Sequence, residues 1–276
     1  MDFFSKAPTQ YIEVAGVPFA YRRFGNPSAT PLIGLQHFTG TMDNWDPVIM
    51  NGLARDREVI VFDNRGVGNS KGATPEKVAD MADDAIAFID AMGFTQIDVL
   101  GFSLGGFIAQ QMAVQRPALL RKIILVGTAP QGVKVLHSFP QLIERAMKLT
   151  PVERFLFIFF TKSEQSRAKG LAALNRLNER KEDRDQETSE EAVFAQLKAI
   201  TSWGTDPVTL DISKIQHPVL IVQGSNDEMM DSETSYLLFK QLPNAILSYY
   251  PDAAHGSFFQ HPDLFVSEAS FFLNSY

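Results

Sequence analysis

At 276 residues the chain is long enough for one large domain, or for one domain carrying a substantial insertion, and either can bury a sizeable core. Its 45% hydrophobic and 21% charged residues argue against long disorder, and a formal charge of −7 disfavours a binder that neutralises a nucleic-acid backbone with a basic face. With no cysteine, disulfide scaffolds, thiolate metal sites and cysteine nucleophiles are excluded together.

The opening MDFFSKAPTQ holds neither a basic leader followed by an apolar stretch nor a small-residue cleavage site, so a cytoplasmic protein is expected. Residues 11–14 and 18–22 alternate about Gly16 like the strands of a hairpin, and the turn-rich GNPSATP separates them from PLIGLQHF. Next come VIVFD, a helix over residues 75–92, IDVLGF, a helix over residues 103–115, and KIILVGT. Short apolar β-rich runs alternating with helices are the signature of parallel strands covered on both faces. In the first of these helices Pro75 stands close to the start, and Val78, Met81, Ala82, Ala85, Phe88 and Ile89 form one apolar face to pack on the sheet.

After Thr128 the alternation stops, and residues 130–202 read as helices without a strand. It resumes with PVLIVQG, a helix after Asp231, AILSYYP and a last helix from Pro262. The helical block is most simply an insertion over the end of the sheet. Its run ERKEDRDQETSEE, residues 179–191, reads as a solvated helix face or loop. The most apolar stretch, FLFIFF at residues 155–160, is far short of the ~20 residues that span a membrane.

Gly101, Ser103 and Gly105 form a Gly-x-Ser-x-Gly pattern between a strand and a helix. A nucleophile on so sharp a turn has strained backbone angles, and side chains two residues either way would collide with the neighbouring strand and helix. The helix N-terminus behind Ser103 favours developing negative charge. A serine hydroxyl needs a base, and there are five histidines. His217 opens a strand at the opposite end of the sheet; His137 lies in the insertion; His261 stands at the entrance to the last helix. His255, on the loop after AILSYY, is at the same sheet edge as Ser103, where open α/β folds collect their chemistry. Asp227 in QGSNDEMM lies just beyond another strand end, with Gly224 permitting the turn inward. Glu228 would face away, Asp231 caps the next helix, and Asp252 is close to His255 in sequence.

In the chain order Ser103, Asp227, His255 the sequence resembles the α/β-hydrolase superfamily over essentially its whole length. The resemblance implies a mostly parallel sheet of about eight strands flanked by helices. It implies a core of residues 1–129 and 204–276, and a helical cap of residues 130–203. It also implies an oxyanion hole from the N–H groups of Leu104 and Phe38. Where the family reads His-Gly-x, this chain reads LQHFTG. Gln36 and His37 fill those two places when counted back from Trp45; the other alignment puts His37 on the family histidine and Phe38 on its glycine. Either way the glycine is missing, which leaves open whether His37 buttresses the loop or faces substrate. FDNRGVGNS, residues 62–70, resembles a turn that stabilises the family's loop architecture, and it lacks the spacing of a nucleotide-binding loop.

The expected activity is a cofactor-free and metal-free serine hydrolase of a small-to-medium hydrophobic ester. Its expected pocket is lined by His37, Phe38, Trp203, Phe155, Phe157 and Phe159. Serine at 103 argues against dehalogenases and epoxide hydrolases, which use aspartate. Cofactor-free haloperoxidases resemble the chain in GFSLGG and at Phe38, and carbon–carbon bond hydrolases are also similar. A ligand-binding homologue without catalysis is the alternative from another class.

Overall fold

The computed structural model describes residues 3–275. The hairpin about Gly16 is built by β1 (Gln10–Val14) and β2 (Val17–Gly25). Ala15 and Gly16 in its turn both take positive φ, the arrangement whose twist matches paired strands. β3 (Leu32–Leu35), β4 (Glu58–Phe62), β5 (Ile97–Phe102), β6 (Leu120–Val126), β7 (Val219–Gly224) and β8 (Ala245–Tyr250) complete an eight-stranded sheet. The strand order is β1-β2-β4-β3-β5-β6-β7-β8. β2 runs antiparallel to both neighbours and every other pairing is parallel.

Helices α1 (Pro47–Leu53), α2 (Val78–Ala91) and α3 (Leu104–Gln115) belong to the first half of the chain. α4 (Phe139–Met147), α5 (Pro151–Phe159), α6 (Glu164–Leu177) and α7 (Glu190–Thr205) stand between β6 and β7. α8 (Glu233–Gln241), α9 (Ser257–Gln260) and α10 (Pro262–Asn274) follow. Successive strand residues point to opposite faces, so each apolar run feeds two cores. Ile123 and Leu125 of β6 join the cluster with α2 and α3, whereas Ile124 and Val126 join the one with α1 and α10. This is why the central strands read as unbroken apolar runs rather than as alternation.

The six apolar residues expected on the face of α2 are all buried, and Phe88 stacks on Phe62 with ring centroids 4.3 Å apart. The start of that helix is a correction. Pro75 lies before it, with Lys77 as N-cap, because Thr74 is tied by its hydroxyl to the Arg65 carbonyl (2.9 Å) and residues 75–77 lead from that turn into the helix.

The charged run at 179–191 is irregular until α7 begins and mostly exposed, as a solvated loop would be, with two exceptions: Arg180 and the side chain of Asp185 are buried. The fully buried Arg22 of β2 donates to Asp43 (2.7 Å) and to Asp185 (2.8 Å). Asp43 and Asp185 each accept the other's backbone N–H at 2.9 Å. Arg180 donates to the carbonyls of Phe4, Ser5 and Ala7 and to the Asp183 carboxylate. Charges leave water only when paired, and here, Asp183 apart, the partners of Arg180 and Asp185 come from chain segments more than a hundred residues away in sequence. Burial pushes the Asp185 carboxyl up to about 6, against the pull of Arg22.

Candidate active site

Because β3 and β5–β8 are parallel, the loops that follow them leave the sheet at one rim. Ser103 stands between β5 and α3 at φ 54°, ψ −114°, a strained conformation for any residue with a Cβ. The glycines have the steric role expected of them. A Cβ at 105 would overlap the Leu35 carbonyl oxygen, and one at 101 would stand 2.5 Å from the carbonyl oxygen of Gly105. The serine backbone is tied down on both sides of the next strand end. Its N–H donates to the Val126 carbonyl (2.9 Å), and its carbonyl accepts from the Thr128 hydroxyl (2.9 Å).

His255 abuts that same segment, since a Cβ on Gly127 would lie 3.2 Å from its ring. The ring is further held by Phe102, the neighbour of Ser103, at 5.2 Å between centroids, and by Phe159 stacked at 5.9 Å. Its Nδ1 donates to Asp227 Oδ2 at 2.8 Å, which leaves Nε2 as the nitrogen able to serve a hydroxyl. Among the described residues the Ser103 hydroxyl itself has no hydrogen bond; such contacts are commonly long without substrate. Asp227 is fixed from four sides: Oδ1 accepts from the N–H groups of Met229 (2.8 Å) and Met230 (2.9 Å), and Oδ2 from Gln223 Nε2 (3.0 Å) as well as His255.

The competing residues sit elsewhere. His137, His217 and His261 each bond a backbone carbonyl, of Gly204, Pro117 and Pro251 respectively. Glu228 is exposed, Asp231 accepts from the N–H of Glu233, and Asp252 accepts from Thr161 and Ser163 of the helical segment. Thr128, Gln223, Gly127 and Phe102 were missed by sequence reasoning. Only VGT after a strand offered a signal, because a glycine at a strand end permits close approach.

The loop after β3 departs from a plain His-Gly turn. Gln36 folds back, accepting the His37 N–H (2.9 Å) and donating to the Thr41 carbonyl (3.2 Å). His37 Nδ1 donates to the Phe38 carbonyl at 2.7 Å, so the ring buttresses the loop. Thr39 takes φ 62°, an unfavourable value for a β-branched residue. The N–H groups of Phe38 and Leu104 have no acceptor among the described residues, which leaves both available as oxyanion donors. The Asp63 carboxylate supports the loop from behind, accepting the N–H groups of Met42 and Asn69, each at 2.8 Å.

Burial pushes the His37 pKa down to about 4, with His255 adding repulsion and the Phe38 carbonyl opposing. Protonation of His37 therefore opposes folding. Its contribution to stability is whole above pH ~6.5 and is lost as pH falls toward about 4. In ¹⁵N-resolved imidazole spectra His37 should remain neutral, with hydrogen on Nδ1, down to about pH 5. A ring already cationic at about pH 6 would contradict its burial.

A sequence model of the α/β hydrolase fold matches residues 30–262. The chain belongs to the α/β-hydrolase family. The hydrolase is 64% identical to an α/β hydrolase fold protein from Chitinophaga pinensis, with TM-score 0.98 and coverage of 99% of each chain. It is 28% identical over 234 residues to the pimeloyl-[acyl-carrier protein] methyl ester esterase of Pectobacterium carotovorum, covering 81% of this chain and 86% of that one. It is 25% identical over 237 residues to the 2-hydroxymuconate semialdehyde hydrolase of Pseudomonas sp. strain CF600, covering 83% and 81%. Among the described residues of the hydrolase no helix is long and apolar enough to cross a membrane.

Beside the triad candidates the hydrolase has a cavity of about 120 Å³. Its liners include His37, Phe155, Phe159 and Phe259, and among the polar ones Asp43, Asn44, Asn178 and Arg184. Three of the six expected pocket residues thus meet there, and the other three do not. Phe157 lies two residues from both 155 and 159, which on a helix is the far side, and its ring faces Arg145 at 5.9 Å. Trp203 is core: it stacks on Phe107 with centroids 5.0 Å apart and donates to the Ala129 carbonyl. Phe38 packs on Phe139, 5.6 Å between centroids. Ser103 does not line the cavity; His37, Phe159 and Phe259, liners that each contact Phe102, connect its wall to the residue before Ser103.

Proposed function

We propose that this hydrolase uses Ser103 as nucleophile on small-to-medium hydrophobic carboxylic esters and proceeds through an acyl-enzyme. The reading is carried by the 2.8 Å bond from His255 Nδ1 to Asp227, made beside the segment that anchors Ser103. In this reading His255 Nε2 takes the hydroxyl proton as Ser103 Oγ attacks the ester carbon. The carbonyl electron pair moves onto oxygen, which receives the N–H groups of Phe38 and Leu104. A single such donor is worth about 10²–10³ in rate elsewhere.

Collapse of the adduct expels the alcohol, which leaves with the proton held on His255. Water, deprotonated by the same ring, then attacks the acyl carbon, and release of the acid returns the proton to Ser103. Asp227 keeps the imidazole in the tautomer that this cycle needs and balances its transient charge. The aromatic wall of Phe155, Phe159 and Phe259 supports an apolar substrate.

A fluorophosphonate probe tests the reading: it should label folded protein on Ser103, identified by peptide mapping. Folded protein that resists labelling would sink the proposal and favour a ligand-binding homologue. A series of p-nitrophenyl esters of increasing acyl length, with and without peroxide, separates hydrolysis from perhydrolysis. The similarity to a 2-hydroxymuconate semialdehyde hydrolase gives the carbon–carbon reading its support. A dienol-keto acid turned over faster than any ester would replace the ester assignment.

A further inference from the structure

We propose that Gln196, on α7 of the helical segment, is a positioning residue that holds the oxyanion loop in its working shape. The proposal rests on the serine-hydrolase reading above. Gln196 is fully buried, and its Oε1 accepts the Thr39 N–H at 2.7 Å. The carbonyl of the same peptide unit, that of Phe38, accepts from His37 Nδ1 at 2.7 Å. One peptide plane is therefore gripped at both ends, by the ring of the neighbouring His37 and by Gln196 of α7. Thr188, just ahead of α7, donates from its hydroxyl to the Thr39 carbonyl at 2.7 Å.

What these contacts hold is a residue at φ 62°, which a threonine does not keep unless its surroundings impose it. The peptide plane that follows Phe38 sets the direction of the loop at the residue whose N–H is the oxyanion donor. Relaxation of Thr39 would turn that donor away. Gln196 is also a poor choice for packing alone, since its Nε2 is buried without a partner among the described residues. Through Gln196, α7 thereby reaches the proposed reaction centre by way of backbone geometry, its own contact being with the Thr39 N–H rather than with Ser103 or His255.

The test is Gln196→Met, which retains the volume and removes the acceptor. With p-nitrophenyl butyrate as substrate, kcat should fall about 10- to 100-fold with KM changed less than about threefold, because a donor is displaced rather than deleted. Affinity for a trifluoromethyl ketone, which mimics the tetrahedral adduct, should fall in parallel. Thr39→Gly relieves the backbone strain, so in that background the same Gln196→Met change should cost less than about threefold. A merely structural residue would lower the unfolding midpoint and cost the same in both backgrounds.

Should Gln196→Met not fold, Thr188→Val removes only the carbonyl contact and should reduce kcat about two- to fivefold at unchanged KM. Unchanged kcat in whichever variant folds, with Ser103 still labelled by fluorophosphonate, overturns the positioning role. Wild-type protein that fails to label at Ser103 overturns the serine reading instead, so the two failures are distinct.

Discussion

Ser103→Ala should lower kcat for ester hydrolysis at least ~10³-fold while shifting the unfolding midpoint by no more than a few degrees. The small stability effect follows from the site. The hydroxyl has no hydrogen bond among the described residues, and alanine at φ 54° bears the same backbone strain as serine. His255→Ala should cost as much in rate but is a less clean experiment. It empties a space between Phe102 and Phe159 and orphans one bond to Asp227, which together cost on the order of 2–4 kcal/mol. Combining the two changes should lower kcat little further, since nucleophile and base act as one unit. Steady-state kinetics on the three variants, beside their thermal melts, checks both statements. Ser103→Ala protein that keeps a tenth of the wild-type kcat would end the proposed mechanism.

Asp227→Asn should reduce kcat by about 10⁴ without removing a single heavy-atom contact from the fold. The carboxylate has only donors around it, two backbone N–H groups on one oxygen and the Gln223 amide with His255 on the other. An asparagine can keep its oxygen toward the backbone pair, but then its NH₂ meets the Nδ1–H of His255. The imidazole must change tautomer, and Nε2 becomes a donor that cannot take a proton from Ser103. Gln223 cannot absorb the change by rotating its amide, because its Nε2 also donates to the Met230 carbonyl at 2.9 Å. Imidazole NMR should find hydrogen on Nε2 of His255 in the variant and on Nδ1 in the wild type. An active variant with unaltered tautomer would show that Asp227 does not orient the base.

Much of the positioning was readable in one dimension because it depends on local rules. Glycines at 101 and 105 are demanded by overlap with Leu35 and with the backbone of α3, and this appears in sequence as a pattern with fixed spacing. That His255 and Asp227 stand at one sheet edge was readable because each follows a strand whose direction in the sheet is set by the alternation of strands and helices. That Phe157 and Trp203 lie away from this cavity was not readable, for the opposite reason. Which side of a helix meets a cavity depends on how that helix is docked, and FLFIFF is apolar all round.

The charged run at 179–191 is the loop its composition describes except at two residues. Its composition says water, yet Asp185 and Arg180 are drawn inside by Arg22, Asp43 and the carbonyls of residues 4–7, partners invisible from the run itself. The amino-acid sequence by itself determined the alternating architecture, the strained serine turn and the placing of Asp227 and His255 beyond strand ends, because propensity, periodicity and steric demand act over a few residues. The tertiary structure alone decided the grip of α7 on Thr39, the four donors around Asp227, and the division of the aromatic residues between cavity and core. Those outcomes are set by hydrogen-bond partners and packing surfaces that meet only after distant segments have docked.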